Sequence, residues 1–167
     1  MFDRQPRLTG EAVELRPLRA DDYDALRAAA SDPLTWEQHP ANRHEEPVFR
    51  AYFDEQLGSG GGLAIVDRAT GEAIGSSRYH GHDEARSEVE IGWTFLDRRY
   101  WGGETNREVK RLMLEHAFRF VETVVFVVHP GNVRSRRAVE KLGAARVADR
   151  DGNCVYALTR AVRPPRR

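Results

Sequence analysis

The chain has 167 residues, a single cysteine and a formal net charge of zero. That length supports one domain whose core needs neither disulfides nor metals. Balanced charge excludes a global pull toward nucleic acid or an anionic membrane surface, and a lone Cys154 excludes an internal disulfide framework and a cysteine-rich zinc site.

Cationic charge is almost all arginine, with Lys110 and Lys141 the two lysines. No apolar run approaches the roughly 20 residues of a membrane span. The start, Met1-Phe-Asp-Arg-Gln-Pro6, lacks the apolar stretch of a signal peptide. With one cysteine, these features predict a soluble cytoplasmic protein.

Residues 1–10 read as an N-terminal arm. Val13 and Leu15 alternate with Glu14 and Arg16, which predicts a strand ending at Pro17. Asp21 or Asp22 then suits a helix N-cap, with Tyr23, Leu26, Ala29 and Ala30 on one face and a stop near Asp32-Pro33. Leu34 to His44 has no period. Glu45 to Leu57 predicts a second helix, with Pro47 in its first turn and Val48, Phe49, Tyr52, Phe53 and Leu57 at helical spacing. Leu63 to Asp67 and Glu72 to Tyr79 predict a hairpin, followed by a polar loop over His80 to Arg86. His80-Gly-His82 lacks a third ligand, so no metal site is expected.

Glu88 to Leu96 predicts a strand with Val89, Ile91, Trp93 and Phe95 on one face and Glu88, Glu90, Gly92 and Thr94 on the other. A loop over Asp97 to Glu104 leads into an amphipathic helix from Thr105 to Val121. Val124 to Val128 is an uninterrupted apolar run, as in a strand covered on both faces. Asn132 suits the cap of the next helix, which runs to Leu142 with Gly143 at its C′ position. Ala144 to Thr159 predicts a closing hairpin around Asp151-Gly152, and residues 161–167 read as a disordered basic tail. The order β-α-α-β-β-β-α-β-α-β-β predicts an α/β (mixed α+β) domain over residues 11–160. It implies one mixed sheet of about seven strands flanked by about four helices.

Two stretches carry the chemistry. Trp101-Gly102-Gly103-Glu104-Thr105-Asn106 opens a helix directly after a strand. Glycines let backbone N–H groups approach a ligand, and a helix N-terminus favours a pyrophosphate there. The loop has neither the Walker pattern nor the Gly-x-Gly-x-x-Gly fingerprint. Asn132-Val-Arg-Ser135 to Gly143-Ala144 is the second stretch. Together they resemble the GNAT superfamily of N-acetyltransferases, and within it the ribosomal-protein (RimJ/RimL-like) branch. Arg99, Gly102 and Glu104 fall on the three marked positions of that family's acetyl-CoA loop. Asn132, Ser135, Gly143 and Ala144 fall on its second segment. The Glu-Ile-Gly-Trp strand and Leu15-Arg-Pro-Leu-Arg19 with the following Asp-Asp also match. Two positions depart: Glu104 stands where Gly or Ala is usual, and Val139 where many members carry a tyrosine general acid.

The resemblance implies acetyl-CoA as co-substrate and direct transfer to an amine, either a protein N-terminus or a small molecule. It implies a homodimer as a common state. Thr94, Phe95 and Leu96 would lie along pantetheine and supply backbone donors to the oxyanion. Arg99, Trp101, Gly102, Gly103, Glu104, Thr105 and Asn106 would surround the pyrophosphate, with Asn132, Ser135 and Arg137 on the other wall. An alkyl ammonium has a pKa near ~10.4 and must lose a proton before attack. Glu90 is the candidate base, with Glu88 in reserve. Ser135 is the positional candidate acid for the thiolate, with Tyr100 and Tyr156 as alternatives. A non-catalytic acyl-CoA sensor or scaffold is the alternative function.

Overall fold

The structure, a computed structural model, describes residues 1–160; the basic tail expected over 161–167 lies outside the described residues. Among the described residues the elements are β1 (Leu8–Thr9), β2 (Val13–Pro17), α1 (Tyr23–Ala29), α2 (Glu46–Gly58), β3 (Gly62–Asp67) and β4 (Ala73–Asp83). They continue with β5 (Glu88–Leu96), α3 (Thr105–Ala117), β6 (Thr123–Val128), α4 (Val133–Lys141), β7 (Ala145–Arg150) and β8 (Asn153–Thr159). Eight strands form one sheet in the order β1-β2-β3-β4-β5-β6-β8-β7. The expected mixed α/β architecture is present, with one more strand than anticipated. The extra strand is Leu8–Thr9, which pairs antiparallel to β2. No helix among the described residues is long and apolar enough to cross a membrane.

The sheet separates two cores, as amphipathic elements require. One face carries α3 and α4, where Val109, Leu112, Met113 and Val139 pack on Leu15, Ile65, Ile91 and Val124. The other carries α1 and α2, where Leu26, Phe49, Tyr52 and Phe53 pack with Trp36, Ala64 and Phe95. Asp22 precedes α1, but its carboxylate does not cap the helix. It accepts Arg19 N–H at 2.8 Å and both guanidinium branches of Arg16 at 2.7 and 2.9 Å.

Two departures from the expected strands shape the functional region. First, β4 continues through His80-Gly-His-Asp83, the segment read as a loop, because it pairs with β5 as far as Asp83↔Glu88. Second, β5 does not alternate throughout. Ser76 pairs with Phe95 and Arg78 with Gly92, so the single Ser77 faces two residues, Trp93 and Thr94. Trp93 sits at φ 53°, and this bulge inverts the parity of the strand. Val89 and Ile91 therefore belong to the α3 core, whereas Trp93 and Phe95 face the α1–α2 core. Glu90 and Thr94, expected on one face, lie on opposite faces.

Parallel pairing of β5 with β6 is short. It covers Glu88↔Thr123, Val89↔Val124 and Glu90↔Val125 and then stops. From Ile91 and Phe126 onward the two strands part, which opens a wedge in the middle of the sheet.

Candidate active site

The wedge is a cleft of about 380 Å³. Its floor is β5 from Ile91 to Leu96. The far wall is β6 from Phe126 to Val128, with His129, Asn132, Arg134, Ser135 and Val139 beyond it. Trp101, Gly102, Asn106 and Lys110, and Thr35, Trp36, His39 and Arg43, complete the lining.

Eight of the expected site residues line this cleft: Thr94, Phe95, Leu96, Trp101, Gly102, Asn106, Asn132 and Ser135. The two walls meet because α3 and α4 both begin at the open ends of their strands. Asn132 caps α4 as expected, accepting Ser135 N–H at 3.3 Å. Trp101 is tied to β5 by donating from Nε1 to the Leu96 carbonyl at 2.9 Å. The Arg134 guanidinium lies 4.3 Å from the centre of the Trp101 ring, which places a cation on the glycine loop from the opposite wall.

The remaining site residues stand outside the lining. Arg99 forks onto Asp97 at 2.9 Å on an exposed surface. Gly103, Thr105 and Arg137 do not reach the cleft. The Glu104 side chain is 81% exposed, pairs with Arg107 at 3.5 Å and does not line the cleft. Tyr100 donates to Asp67 at 2.7 Å, and that bond helps push its hydroxyl up to about 12. Tyr156 donates to Glu140 at 2.9 Å. Neither tyrosine lines the cleft.

Glu90 does not line the cleft; it is the last residue of β5 paired with β6, one position before the lining begins at Ile91. Its side chain is 13% exposed, and burial raises its carboxyl above the ordinary range against the pull of Arg150 and Arg78. Gly92 forms the adjoining floor. A Cβ there would stand 3.2 Å from Glu90 Oε2, so a hydrogen at that position leaves the carboxylate its space over the strand. Arg150 is 3.9 Å away.

Four further residues matter that are not among the expected site residues: Lys110, His39, Arg43 and Tyr52. Lys110 is buried among α3 and β5 and donates from Nζ to Thr94 Oγ1 at 2.7 Å. Thr94 Oγ1 in turn lies 2.7 Å from Ser77 Oγ. Among the described residues no carboxylate offsets the ammonium, and desolvation lowers it to about 8. His39 is held at about 4 by burial and then by Arg43, so it is neutral at neutral pH. Arg43 stacks 4.4 Å from the Tyr52 ring and 5.5 Å from Trp36. Tyr52 donates to the Trp93 carbonyl at 2.7 Å, tying that stack to the bulge. Two sequence signals mark Lys110: a cation in the first turns of α3, where it opposes the helix dipole, and a place beside Val109 on the margin of the inward face.

The lining as a whole contains Arg43, Lys110 and Arg134 and no Asp or Glu among the described residues. A cleft with fixed positive charge, a glycine loop at a helix start and an unpaired strand edge suits an extended polyanionic thioester.

Comparison with known proteins agrees with this geometry. Residues 12–145 match the family model of the acetyltransferase (GNAT) domain. No curated protein matches the chain. Among solved structures, a protein described as an acetyltransferase from T. thermophilus is 30% identical, with a TM-score of 0.77, and 93% of this chain covers 90% of that one. A GCN5-related N-acetyltransferase from Brucella melitensis is 21% identical with a TM-score of 0.81, over 93% of this chain and 79% of that one. A Vibrio cholerae protein described as a ribosomal-protein-serine acetyltransferase shares the fold at 17% identity and a TM-score of 0.74, over 92% and 97% of the two chains. The chain belongs to the GNAT family and is an N-acetyltransferase, of a family that uses acetyl-CoA.

Proposed function

We propose that this enzyme transfers acetyl from acetyl-CoA to an amine held at the Trp93 bulge, in the manner of the RimJ/RimL-like branch. The observation that carries the reading is the wedge between β5 and β6, which leaves the edge from Ile91 to Leu96 without a strand partner on that side. An extended pantetheine arm fits there, with its pyrophosphate at Gly102 and Asn106 and its amides near Asn132. Backbone N–H groups over Thr94 to Leu96 serve as donors to the thioester carbonyl oxygen.

The bulge divides the labour. Glu90, on the α1–α2 face, takes the proton from the acceptor ammonium, directly or through water. Its raised pKa makes it a stronger base than an ordinary carboxylate. Lys110, on the α3 face, supplies the proton that the departing thiolate needs. A thiol pKa near ~8.5 is close to that of Lys110, so the transfer is near balance. Ser135 lies across the cleft and orients the sulfur or relays that proton. The reaction breaks the C–S bond and forms the C–N bond. Of the two N–H protons that the ammonium loses, one goes to Glu90 before attack and the second, released as the adduct collapses, returns to the neutral Lys110 that has just protonated the thiolate.

The test is a mixture of amines and short peptides incubated with acetyl-CoA and read by mass spectrometry. The reading expects products heavier by one acetyl group. Acetyl-CoA that binds in calorimetry without any acetylated product would instead favour a non-catalytic sensor, a reading supported by a cleft lining without tyrosine among the described residues.

A further inference from the structure

We infer that the acceptor is a small amine that also carries a carboxylate, and that Arg43 is the residue that binds this carboxylate. The inference rests on the acetyl-transfer reading and adds the acceptor's chemical class.

Arg43 lies on the acceptor side of the cleft. It packs on Trp36 and Tyr52, both in the α1–α2 core, and Tyr52 reaches the Trp93 carbonyl. The glycine loop and Lys110 of α3 line another part of the cleft, and Arg134 is engaged elsewhere, over the Trp101 ring at 4.3 Å and 3.5 Å from the Leu34 carbonyl. The cation over the glycine loop is Arg134, on Trp101, whereas Arg43 is held on Tyr52 and is left for a different occupant.

The guanidinium has no carboxylate within ion-pair distance among the described residues. Among the described residues its single hydrogen-bond contact is His39 Nε2 at 3.4 Å. His39 is neutral at neutral pH and offers no countercharge. The nearest acidic influence is Glu55, but that carboxylate is committed to Arg78 at 3.1 Å and is 61% exposed. Arg43 is thus half-buried, stacked on aromatic faces that hold its plane, and short of an anion. Such an Arg presents a preorganised fork to a carboxylate. One guanidinium matches one carboxylate in charge, whereas a dianionic phosphate would call for more than this single group.

The rest of the lining excludes polycations. A polyamine or an aminoglycoside needs carboxylates for its second ammonium, and the cleft offers Arg43, Lys110 and Arg134 instead. The same field favours loss of the acceptor's proton, since nearby fixed positive charge lowers an ammonium pKa. A carboxylate on the acceptor offsets the repulsion on binding and leaves that effect in place at the amine.

The experiment uses matched pairs: α- and ω-amino acids against their carboxamides, with spermidine as a polycation. Turnover is measured with acetyl-CoA, and binding by calorimetry to the CoA-loaded protein. Acids are expected to be acetylated and to bind, and carboxamides and spermidine to fail. Arg43→Gln is expected to raise KM for the acids by about 10- to 100-fold, with kcat little changed and the acetyl-CoA Kd unaltered. Carboxamides used as well as acids would overturn the inference. So would a loss of acetyl-CoA affinity in Arg43→Gln, which would assign Arg43 to the cofactor. If nothing is acetylated, the acetyl-transfer reading fails for these amines, but calorimetry still decides: acids that bind through Arg43 uphold the site, and acids that do not bind overturn it.

Discussion

Lys110 on α3 reaches Thr94 on the bulged segment of β5, with Nζ 2.7 Å from Oγ1, from the face opposite to Glu90. An ammonium buried without a carboxylate needs a reason, and a transient thiolate beside it provides one. Lys110→Met should lower kcat by about 10- to 100-fold, the range expected for a lost proton donor. A thioester with a more acidic thiol needs no donor, so the deficit should shrink on such a substrate. In the wild type, activity should fall as pH rises through about 8, and this basic limb should vanish in the variant. Arg43, lowered by burial from 12.5, keeps its charge there, and His39 is already neutral. Equal losses with both thioesters would assign Lys110 to positioning alone.

The same residue makes a stability prediction of opposite direction. Lowering a lysine from 10.5 to about 8 means that the charged form opposes folding by about 3 kcal/mol at most, less what the Thr94 hydrogen bond returns. The cost is present in full below about pH 8 and disappears as pH rises toward the unfolded value. Lys110→Met should therefore raise Tm at pH 7, and the gain should fade by pH 10. Thermal melts at the two pH values check this. A variant that loses activity while gaining stability marks a group retained for chemistry.

Glu90 and Gly92 make a joint prediction. Glu90→Gln should lower kcat by about 100-fold or more while acetyl-CoA affinity stays the same. The acid limb of the wild-type profile should lie above the ordinary carboxylate range, since burial raises Glu90, and should be absent from Glu90→Gln. Gly92→Ala should reproduce part of the loss, because its methyl would stand 3.2 Å from Oε2 and displace the carboxylate. Circular dichroism would show both variants folded. Unchanged kcat in Glu90→Gln would remove Glu90 as the base.

These three residues show where the sequence was readable. The order of elements and both cleft-wall motifs were legible because period and cap signals are local, as Asn132 capping α4 illustrates. The bulge at Trp93 was not. Val-Glu-Ile-Gly-Trp-Thr-Phe alternates without a break, and the extra residue exists only relative to Ser77 on the neighbouring strand. The contact of Lys110 with Thr94 was hidden for the same reason. Its position on α3 places it beside the inward face, but the Thr94 hydroxyl turns toward it only because the bulge inverts the strand. His80 to Asp83 read as a loop because its composition is polar, while β5 supplies a partner strand that composition does not report.

Asp22 and Arg16 provide a control away from the chemistry. Their side chains are 5% and 12% exposed, and they meet through two hydrogen bonds of 2.7 and 2.9 Å. Burial alone would push the Asp22 carboxyl up, but Arg16 and the Arg19 N–H outweigh it and hold it below its usual value. A depressed carboxylate contributes stability that is present above its unfolded pKa and lost as pH falls through the folded one. Wild-type stability should therefore decline below about pH 4. Asp22→Asn leaves Arg16 buried without a countercharge and should cost about 3–5 kcal/mol at pH 7. Its stability should then be flatter across the acid range. Urea titrations at pH 7 and pH 3 measure both effects, while acetyl-CoA affinity at pH 7 should be unchanged, because the pair lies at the start of α1 and outside the cleft lining.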